Sequence, residues 1–131
     1  MSEPLKIAIA GLGTVGAGVV RVLNENGAQI ARRCGRDITV TAVSARDAKR
    51  DRGVDLSSFE WYDDPVAMAR DAGVDVYVEL IGGEDGVAKE SCEAAIAAGK
   101  SVVTANKALI AHHGTELALT AEQGNLALAY E

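Results

Sequence analysis

The stretch Leu5–Gly16, LKIAIAGLGTVG, joins a short apolar run to a glycine-rich turn, and a helix-like pattern follows at once. Its glycines stand in the order G-x-G-x-x-G, which is typical of the turn that binds the pyrophosphate of a dinucleotide. The first glycine of this motif permits a tight turn, the second lets phosphates approach the backbone, and the third lets the helix pack closely. The helix also presents unpaired N–H groups and the positive end of its dipole to the phosphates. The sequence therefore predicts a dinucleotide site whose contacts are Gly11, Leu12, Gly13, Thr14, Val15 and Gly16.

The composition of the 131 residues is typical of one soluble globular domain, with 48% hydrophobic and 24% charged residues. The formal net charge is −6, and no basic cluster is dense enough for a nucleic-acid surface. No apolar run approaches the roughly 18 residues of a membrane span, and the first residues do not resemble a signal peptide. Cys34 and Cys92 lack metal-ligand spacing. We therefore expect a cytoplasmic protein with reduced thiols and neither a nucleic-acid nor a membrane partner.

Apolar, β-branched runs alternate with helix-like patterns along the whole chain. This alternation predicts an α/β fold, a doubly wound and mostly parallel sheet of Rossmann type with helices on both faces. Val15, Val19, Val22 and Leu23 recur at helical spacing and predict the packing face of the first helix, which Gly35 ends. The predicted strands cover residues 5–10, 38–43, 59–62, 74–81, 101–104 and 126–130, and the predicted helices run from the glycine turn to 34, then over 65–72, 87–98 and 108–123.

Two polar pairs are interpreted as ordinary structural features. Asp64 precedes Pro65, so the pair Asp63–Asp64 is better explained as a helix start than as two catalytic carboxylates. His112 and His113 are adjacent in a predicted helix and point in different directions, whereas two metal ligands on a helix are usually four residues apart.

The end of the second predicted strand, Ser44-Ala45-Arg46-Asp47, is where the choice of cofactor is expected. An NAD site usually places an acidic residue here for the ribose 2′-hydroxyl, and an NADP site places an arginine near the 2′-phosphate. A guanidinium binds phosphate through two parallel hydrogen bonds. Because Arg46 comes first and Lys49 and Arg50 follow, the sequence favours NADP, with Ala45 and Arg46 as contacts. Asp47 remains the candidate for an NAD site.

The fourth predicted strand is followed by Gly82-Gly83. In a doubly wound sheet this strand lies beside the first, across the point where ligands bind. Gly82 and Gly83 are therefore predicted to let the backbone approach the nicotinamide half, although a flexible turn explains them too. Glu79, near the end of the same strand, is either a carboxylate in the cleft or an outward-facing strand residue.

Three stretches together resemble homoserine dehydrogenase: GLGTVG at 11–16, VELIGG at 78–83 and VTANKAL at 103–109. The resemblance covers essentially the whole chain, and the Thr-Ala-Asn-Lys motif is far more specific than the glycine turn. It implies an NAD(P)-dependent oxidoreductase that interconverts L-homoserine and L-aspartate 4-semialdehyde in threonine and methionine biosynthesis.

The resemblance also implies roles for individual residues. Lys107 is implied to be the catalytic lysine and a cofactor contact, together with Thr104 and Asn106. Its position after a predicted strand agrees, because a lysine desolvated in a cleft loses its charge more readily and can exchange the proton of an alcohol. Glu131 matches a glutamate near a monovalent cation whose other ligands follow it in the family. The full-length enzyme is expected to be a homo-oligomer.

Three functions remain open at this point. The first is the cofactor domain of homoserine dehydrogenase, with residues 1–131 as the NAD(P)-binding domain and the substrate region lying beyond Glu131. Such a fragment is expected to bind cofactor without turning over substrate. The second is the same domain of another amino-acid dehydrogenase, such as an aspartate dehydrogenase. The third is a non-catalytic module that senses NAD(P).

Overall fold

The protein is described by a computed structural model that covers residues 3–46, 52–81 and 86–130. These residues form six strands and four helices, which alternate in the way that the sequence predicts. The strands are β1 (Leu5–Ala10), β2 (Ile38–Ser44), β3 (Glu60–Tyr62), β4 (Val76–Glu79), β5 (Ser101–Thr104) and β6 (Leu128–Tyr130), and the helices are α1 (Thr14–Cys34), α2 (Pro65–Asp71), α3 (Val87–Ala97) and α4 (Lys107–Gln123).

All six strands belong to one parallel sheet in the order β3-β2-β1-β4-β5-β6. The predicted doubly wound, Rossmann-type fold is therefore confirmed. From β1 the strand order continues through β2 to β3 at one edge of the sheet, and from β4 it continues through β5 to β6 at the opposite edge. The carboxyl ends of β1 and β4 consequently border a crevice, and ligands of open α/β sheets bind at such a point.

The two faces of the sheet carry two separate cores. On one face, α2, α3 and α4 pack through residues such as Met68, Cys92 and Leu109. On the other face, α1 packs through Val20 against β1 and β2. Helices on both faces are thus confirmed, but within the described ranges the core on this second face includes residues of β1, β2 and β4 and none of β5. Val103, which alternates to that side of β5, is 40% exposed.

The packing face of α1 differs from the predicted one. Val15 and Val22 are exposed, whereas Val20 is fully buried. The buried stripe contains Gly16 and Val20, with Leu23 partly buried against the same core. This spacing of four and three residues is the ordinary helical one, and Gly16 lies against the Gly11 carbonyl oxygen in the turn after β1. The apolar pattern gave the helix correctly, and Val19 and Leu23 pack against the core as predicted, whereas Val15 and Val22 do not.

Several helix ends follow their expected local chemistry. The Asp64 side chain accepts a hydrogen bond from the Val66 N–H at 2.9 Å, which caps α2. This confirms Asp64 as a helix start. Gly35 ends α1 in the left-handed conformation with φ of 78°, as predicted. α2 ends at Asp71, one residue before the predicted end, because Ala72 already adopts an extended conformation.

α4 begins one residue earlier than predicted. Lys107, not Ala108, is its first residue, and Asn106 caps it. β4 is also shorter than the predicted run 74–81. Among the described residues no helix is both long and apolar enough to cross a bilayer. Cys34 is exposed and Cys92 is buried, and the structure links neither of them in a disulfide.

Candidate functional site

A cavity of about 530 Å³ lies at the carboxyl edge of the sheet, at the crevice between β1 and β4. Its size is in the range of sites that hold small molecules and cofactors. The glycine turn forms one wall, the end of β2 forms a second, and the end of β4 forms a third. The lining residues are Gly11, Leu12, Gly13, Ser44, Ala45, Arg46, Arg52, Asp63, Pro65, Leu80, Ile81 and Val87.

Each glycine of the turn has a distinct steric surrounding. Gly11 has φ of 95°, and a Cβ there would lie 2.6 Å from the Leu80 carbonyl oxygen. A Cβ on Gly16 would lie 1.9 Å from the Gly11 carbonyl oxygen, so the first turn of α1 packs against the loop at a distance that excludes any side chain. These two glycines therefore build the turn, as the motif predicts.

Gly13 differs from the other two because a Cβ there would have no atom of the described residues within 4 Å. Its φ of −73° is one that any residue adopts. Steric fit within the described structure thus gives no reason for glycine at this position. The open space lies beside the N-terminus of α1, where Gly13 is the cap and supplies no side-chain hydrogen bond. A phosphate group that approaches the backbone here would explain the residue.

The other predicted residues of the turn fall into two groups. Leu12 is buried in the core beneath α1 and also lines the cavity. Thr14 and Val15 are exposed at the beginning of α1. The structure thus brings all six turn residues to one edge of the sheet.

The end of β2 supplies the wall where the adenosine half is expected. Ala45 and Arg46 both line the cavity, and Arg46 is exposed. Asp47, the alternative NAD residue, lies outside the described residues, as do Lys49 and Arg50. The structure therefore places Ala45 and Arg46, the two predicted contacts, at the cavity.

Arg52 is a second cation at this cavity that the sequence analysis did not identify. Its Nε donates a hydrogen bond to the Leu12 carbonyl oxygen at 3.2 Å, and its guanidinium lies 5.8 Å from the centre of the Trp61 ring. Trp61 Nε1 in turn donates to the Asp63 carboxylate at 2.9 Å. The run of basic residues after β2 was the available signal. It did not single out Arg52, because only the fold brings Arg52 over the glycine turn.

The β5–α4 turn holds the residues that the resemblance singles out. Thr104 and Asn106 are both buried, and Lys107 is exposed as the first residue of α4. The Asn106 side chain accepts from the Leu109 N–H at 3.0 Å, so it caps the helix. None of the three belongs to the cavity wall formed by the described residues, although all lie at the same edge of the sheet.

Exposure of Lys107 bears on the chemistry expected of it. The prediction required a lysine desolvated in a cleft, and the described residues leave this side chain in solvent. Any desolvation must therefore come from a bound ligand or from polypeptide outside the described residues.

Glu79 is the clearest correction within the site. The interpretation as an outward-facing strand residue is wrong, because Glu79 is fully buried. One carboxylate oxygen accepts from the Ile81 N–H at 2.8 Å, and the other accepts from the Thr104 hydroxyl at 2.5 Å. Strand alternation explains the orientation, since Glu79 shares its side of β4 with buried Tyr77.

Three predicted site residues, Gly82, Gly83 and Glu131, lie outside the described residues. Among the residues that the structure describes, no group of three or more histidine, cysteine, aspartate or glutamate side chains is arranged to hold a metal. The His112 and His113 rings lie 6.3 Å apart and are tilted relative to each other.

Comparisons with known proteins agree with this geometry. Residues 11–131 match the family described as "Homoserine dehydrogenase, NAD binding domain". The homoserine dehydrogenase of Pseudomonas aeruginosa is 44% identical over 131 residues, and that of Neisseria gonorrhoeae is 40% identical over 129 residues. Each match covers 98% of this chain and 29% of the relative.

Solved structures give the same result. The homoserine dehydrogenase of S. aureus at pH 7.0 superposes with a TM-score of 0.88 at 34% identity, covering 100% of this chain and 33% of that one. The enzyme of Thiobacillus denitrificans superposes with a TM-score of 0.89 at 36% identity, covering 98% and 30%. The chain thus spans about a third or less of the length of these four relatives.

Proposed function

The chain belongs to the homoserine dehydrogenase family, in which it corresponds to the NAD-binding domain, and we propose that its cavity binds NADP in preference to NAD. The observation that carries this proposal is the combination of Gly13 and two arginines around one cavity. Gly13 leaves open space at the N-terminus of α1, which suits the pyrophosphate. Arg46 and Arg52 supply positive charge to the same cavity.

The arginines favour a 2′-phosphate for a specific reason. Phosphate carries more negative charge than a ribose hydroxyl, and guanidinium groups bind it through charge-assisted hydrogen bonds. Arg52 is held in place by its hydrogen bond to Leu12 and its position over Trp61, so less side-chain freedom is lost when a phosphate binds. Arg46 is exposed and gains its order from the ligand. If Asp47 faces the ribose instead, NAD is the preferred cofactor.

In the complete enzyme the proposed reaction interconverts L-homoserine and L-aspartate 4-semialdehyde. The bound nicotinamide supplies the chemistry of hydride transfer. Lys107 Nζ is proposed to contact the substrate oxygen and to move the proton of the alcohol, because it stands at the carboxyl edge of the sheet next to β5. A substrate that covers Lys107 would also supply the desolvation that the described residues do not.

Other properties of the complete enzyme are expected from the resemblance. These are the place in threonine and methionine biosynthesis, the homo-oligomer and a monovalent cation near Glu131, whereas the cytoplasmic location is expected from the composition and the cysteines. Thr104 and Asn106 are proposed to contact cofactor mainly through backbone groups, since their side chains already make internal hydrogen bonds.

The cofactor proposal is tested by fluorescence titration of the chain with NADP and NAD. Trp61 is the one tryptophan of the sequence and lies beside Arg52, so its emission reports on this wall of the cavity. We expect tighter binding of NADP than of NAD. Arg46→Ala and Arg52→Ala should each weaken NADP binding about tenfold or more, and NAD binding much less. Because Arg52→Ala also changes the surroundings of Trp61, its affinities are checked by calorimetry.

Arg33→Ala is the matched control, because Arg33 is exposed in the last turn of α1, at the far end of the helix. It removes the same charge and should change neither affinity. Equal affinities that neither cavity variant alters would refute the NADP preference and direct attention to Asp47. No binding of either cofactor would refute the proposal for this chain.

The family membership favours homoserine dehydrogenase over the other two functions. In the complete enzyme, cofactor reduction with L-homoserine but not with L-aspartate is the expected result. Reduction with L-aspartate alone would instead support an aspartate dehydrogenase.

A further inference from the structure

We infer that Glu79 is a positioning residue that fixes the backbone orientation of Lys107 through Thr104 and Asn106. It also joins the β5–α4 turn to the residues that follow β4. The inference rests on the proposed function, in which Lys107 contacts the substrate. Glu79 itself lies inside the fold and is not proposed to touch substrate or cofactor.

The first step is the burial of the carboxylate. Glu79 is the last residue of β4 and is fully buried, with Thr104 as its register partner on β5. A buried polar group is costly unless hydrogen bonds replace its contacts with water. The Ile81 N–H and the Thr104 hydroxyl supply such bonds at 2.8 and 2.5 Å. One side chain thus holds groups from two neighbouring strand ends.

The second step is the connection to α4. Thr104 donates its hydroxyl hydrogen to Glu79, so its oxygen is free to accept from the Asn106 N–H at 3.0 Å. The Asn106 side chain then caps α4 by accepting from the Leu109 N–H. Lys107 is the first residue of that helix, directly after the cap. The orientation of the Lys107 backbone is therefore set by a continuous series of hydrogen bonds that begins at Glu79.

The third step is the second carboxylate oxygen of Glu79, which accepts from the Ile81 N–H. The Ile81 N–H belongs to the chain that leads directly into Gly82-Gly83, the segment expected near the nicotinamide. Leu80 and Ile81 also line the cofactor cavity. A carboxylate is suited to this position because its two oxygens accept from two donors at once. An apolar residue of the same size would fill the space but would leave both donors without this partner.

The test uses the complete enzyme, with kcat and KM for both substrates measured separately. Thr104→Val keeps the shape and removes the hydroxyl, and Glu79→Gln keeps the shape and replaces one acceptor oxygen with a donor. We expect Thr104→Val to lower kcat at least about tenfold, since a displacement of about 1 Å at a reacting group costs up to about 10²-fold. Glu79→Gln should lower kcat by a smaller factor, and the cofactor KM should change less than kcat in both. Thr104→Ser restores the hydroxyl and should recover most of the loss.

The double variant tests whether the two residues act through one connection. If they do, Glu79→Gln should have little further effect on kcat in the Thr104→Val background, because its partner is already absent. Thr39→Val on β2 and Glu93→Gln on α3 are matched controls, since both side chains are exposed outside the site. Thermal unfolding of every variant identifies losses that come from instability.

The outcomes separate the two proposals. A parent enzyme without activity on L-homoserine overturns the proposed function. An active parent in which Thr104→Val and Glu79→Gln retain full kcat overturns the role of Glu79, as do losses in kcat that simply multiply in the double variant. If Glu79→Gln does not fold, the comparison of Thr104→Val with Thr104→Ser still decides whether the hydroxyl relay acts on kcat.

Discussion

Gly16→Ala is the substitution for which the structure gives the sharpest expectation. An alanine in a helix interior is ordinarily more favourable than glycine by roughly 0.5–1 kcal/mol. Here the added Cβ would lie 1.9 Å from the Gly11 carbonyl oxygen, and α1 must shift by about 1 Å to reach even 3.0 Å. The obstacle is backbone, so no side-chain rotation relieves it. Overpacking of this kind costs typically about 1–3 kcal/mol, and we expect a net loss of about 2 kcal/mol.

Two other glycines of the same segment provide matched controls. Gly18 also lies in α1, and a Cβ there has no neighbour within 4 Å in the part of the chain that the structure describes. Gly18→Ala should therefore stabilise the protein by up to about 1 kcal/mol. Gly13→Ala places a methyl group in open space at the helix cap, which should change stability by no more than about 1 kcal/mol. The same methyl group occupies the expected path of the pyrophosphate. Gly13→Ala should therefore weaken cofactor binding about tenfold or more with little change in unfolding.

Urea unfolding followed by far-ultraviolet circular dichroism measures the stability differences, and fluorescence titration measures cofactor affinity. The expected order of stability is Gly18→Ala, parent, Gly13→Ala and then Gly16→Ala. A Gly16→Ala protein as stable as the parent would refute the close packing of α1 on the turn. Unchanged cofactor affinity in Gly13→Ala would refute the steric reason given for glycine at this position.

Two further predictions concern groups buried beneath the sheet. Lys100→Met should lower the free energy of unfolding by about 1–3 kcal/mol in urea titrations, because Lys100 Nζ donates to the Ala69 carbonyl oxygen at 2.8 Å at the end of α2; no loss would mean that this hydrogen bond is dispensable. The free energy of unfolding should also fall as pH rises above about 9. Burial raises the pKa of Cys92 to about 12 and raises the pKa of Tyr77, so both groups lose protons when the protein unfolds at alkaline pH. Tyr77→Phe should reduce this alkaline loss without lowering stability at pH 7, because the buried hydroxyl makes no hydrogen bond among the described residues. The measurement is the drop in the urea midpoint between pH 8 and pH 10. An equal drop in parent and variant would contradict the prediction.

The local signals of the sequence predicted the elements well because each has a short-range physical cause. Asp64 before Pro65 predicts a helix start, and the structure contains the expected hydrogen bond. Gly35 predicts a helix end, and its left-handed conformation is the reason. The glycine spacing predicts the turn, and Gly11 and Gly16 show the predicted close contacts.

Predictions that depended on which way a side chain points were less successful. Val15 and Val22 share the apolar character of Val20, yet only Val20 is buried, because the tilt of α1 on the sheet is a property of the packed structure. Glu79 has an ionisable side chain, and glutamate ordinarily lies in solvent. Its burial depends on Thr104, which is 25 residues away in sequence and adjacent across the strands.

The sequence by itself determined the order of strands and helices, the class of fold and the position of the glycine turn. These features follow from spacing, branching and the backbone preferences of glycine and proline, which act within a few residues. Only the tertiary structure decided that Arg52 lies against the glycine turn and that Glu79 connects two strand ends. Both are contacts between distant segments. The energy of each contact depends on how deeply the polar group is buried and on which partner the fold supplies. Burial and partner are set by the fold, and the residue and its neighbours in sequence do not determine them.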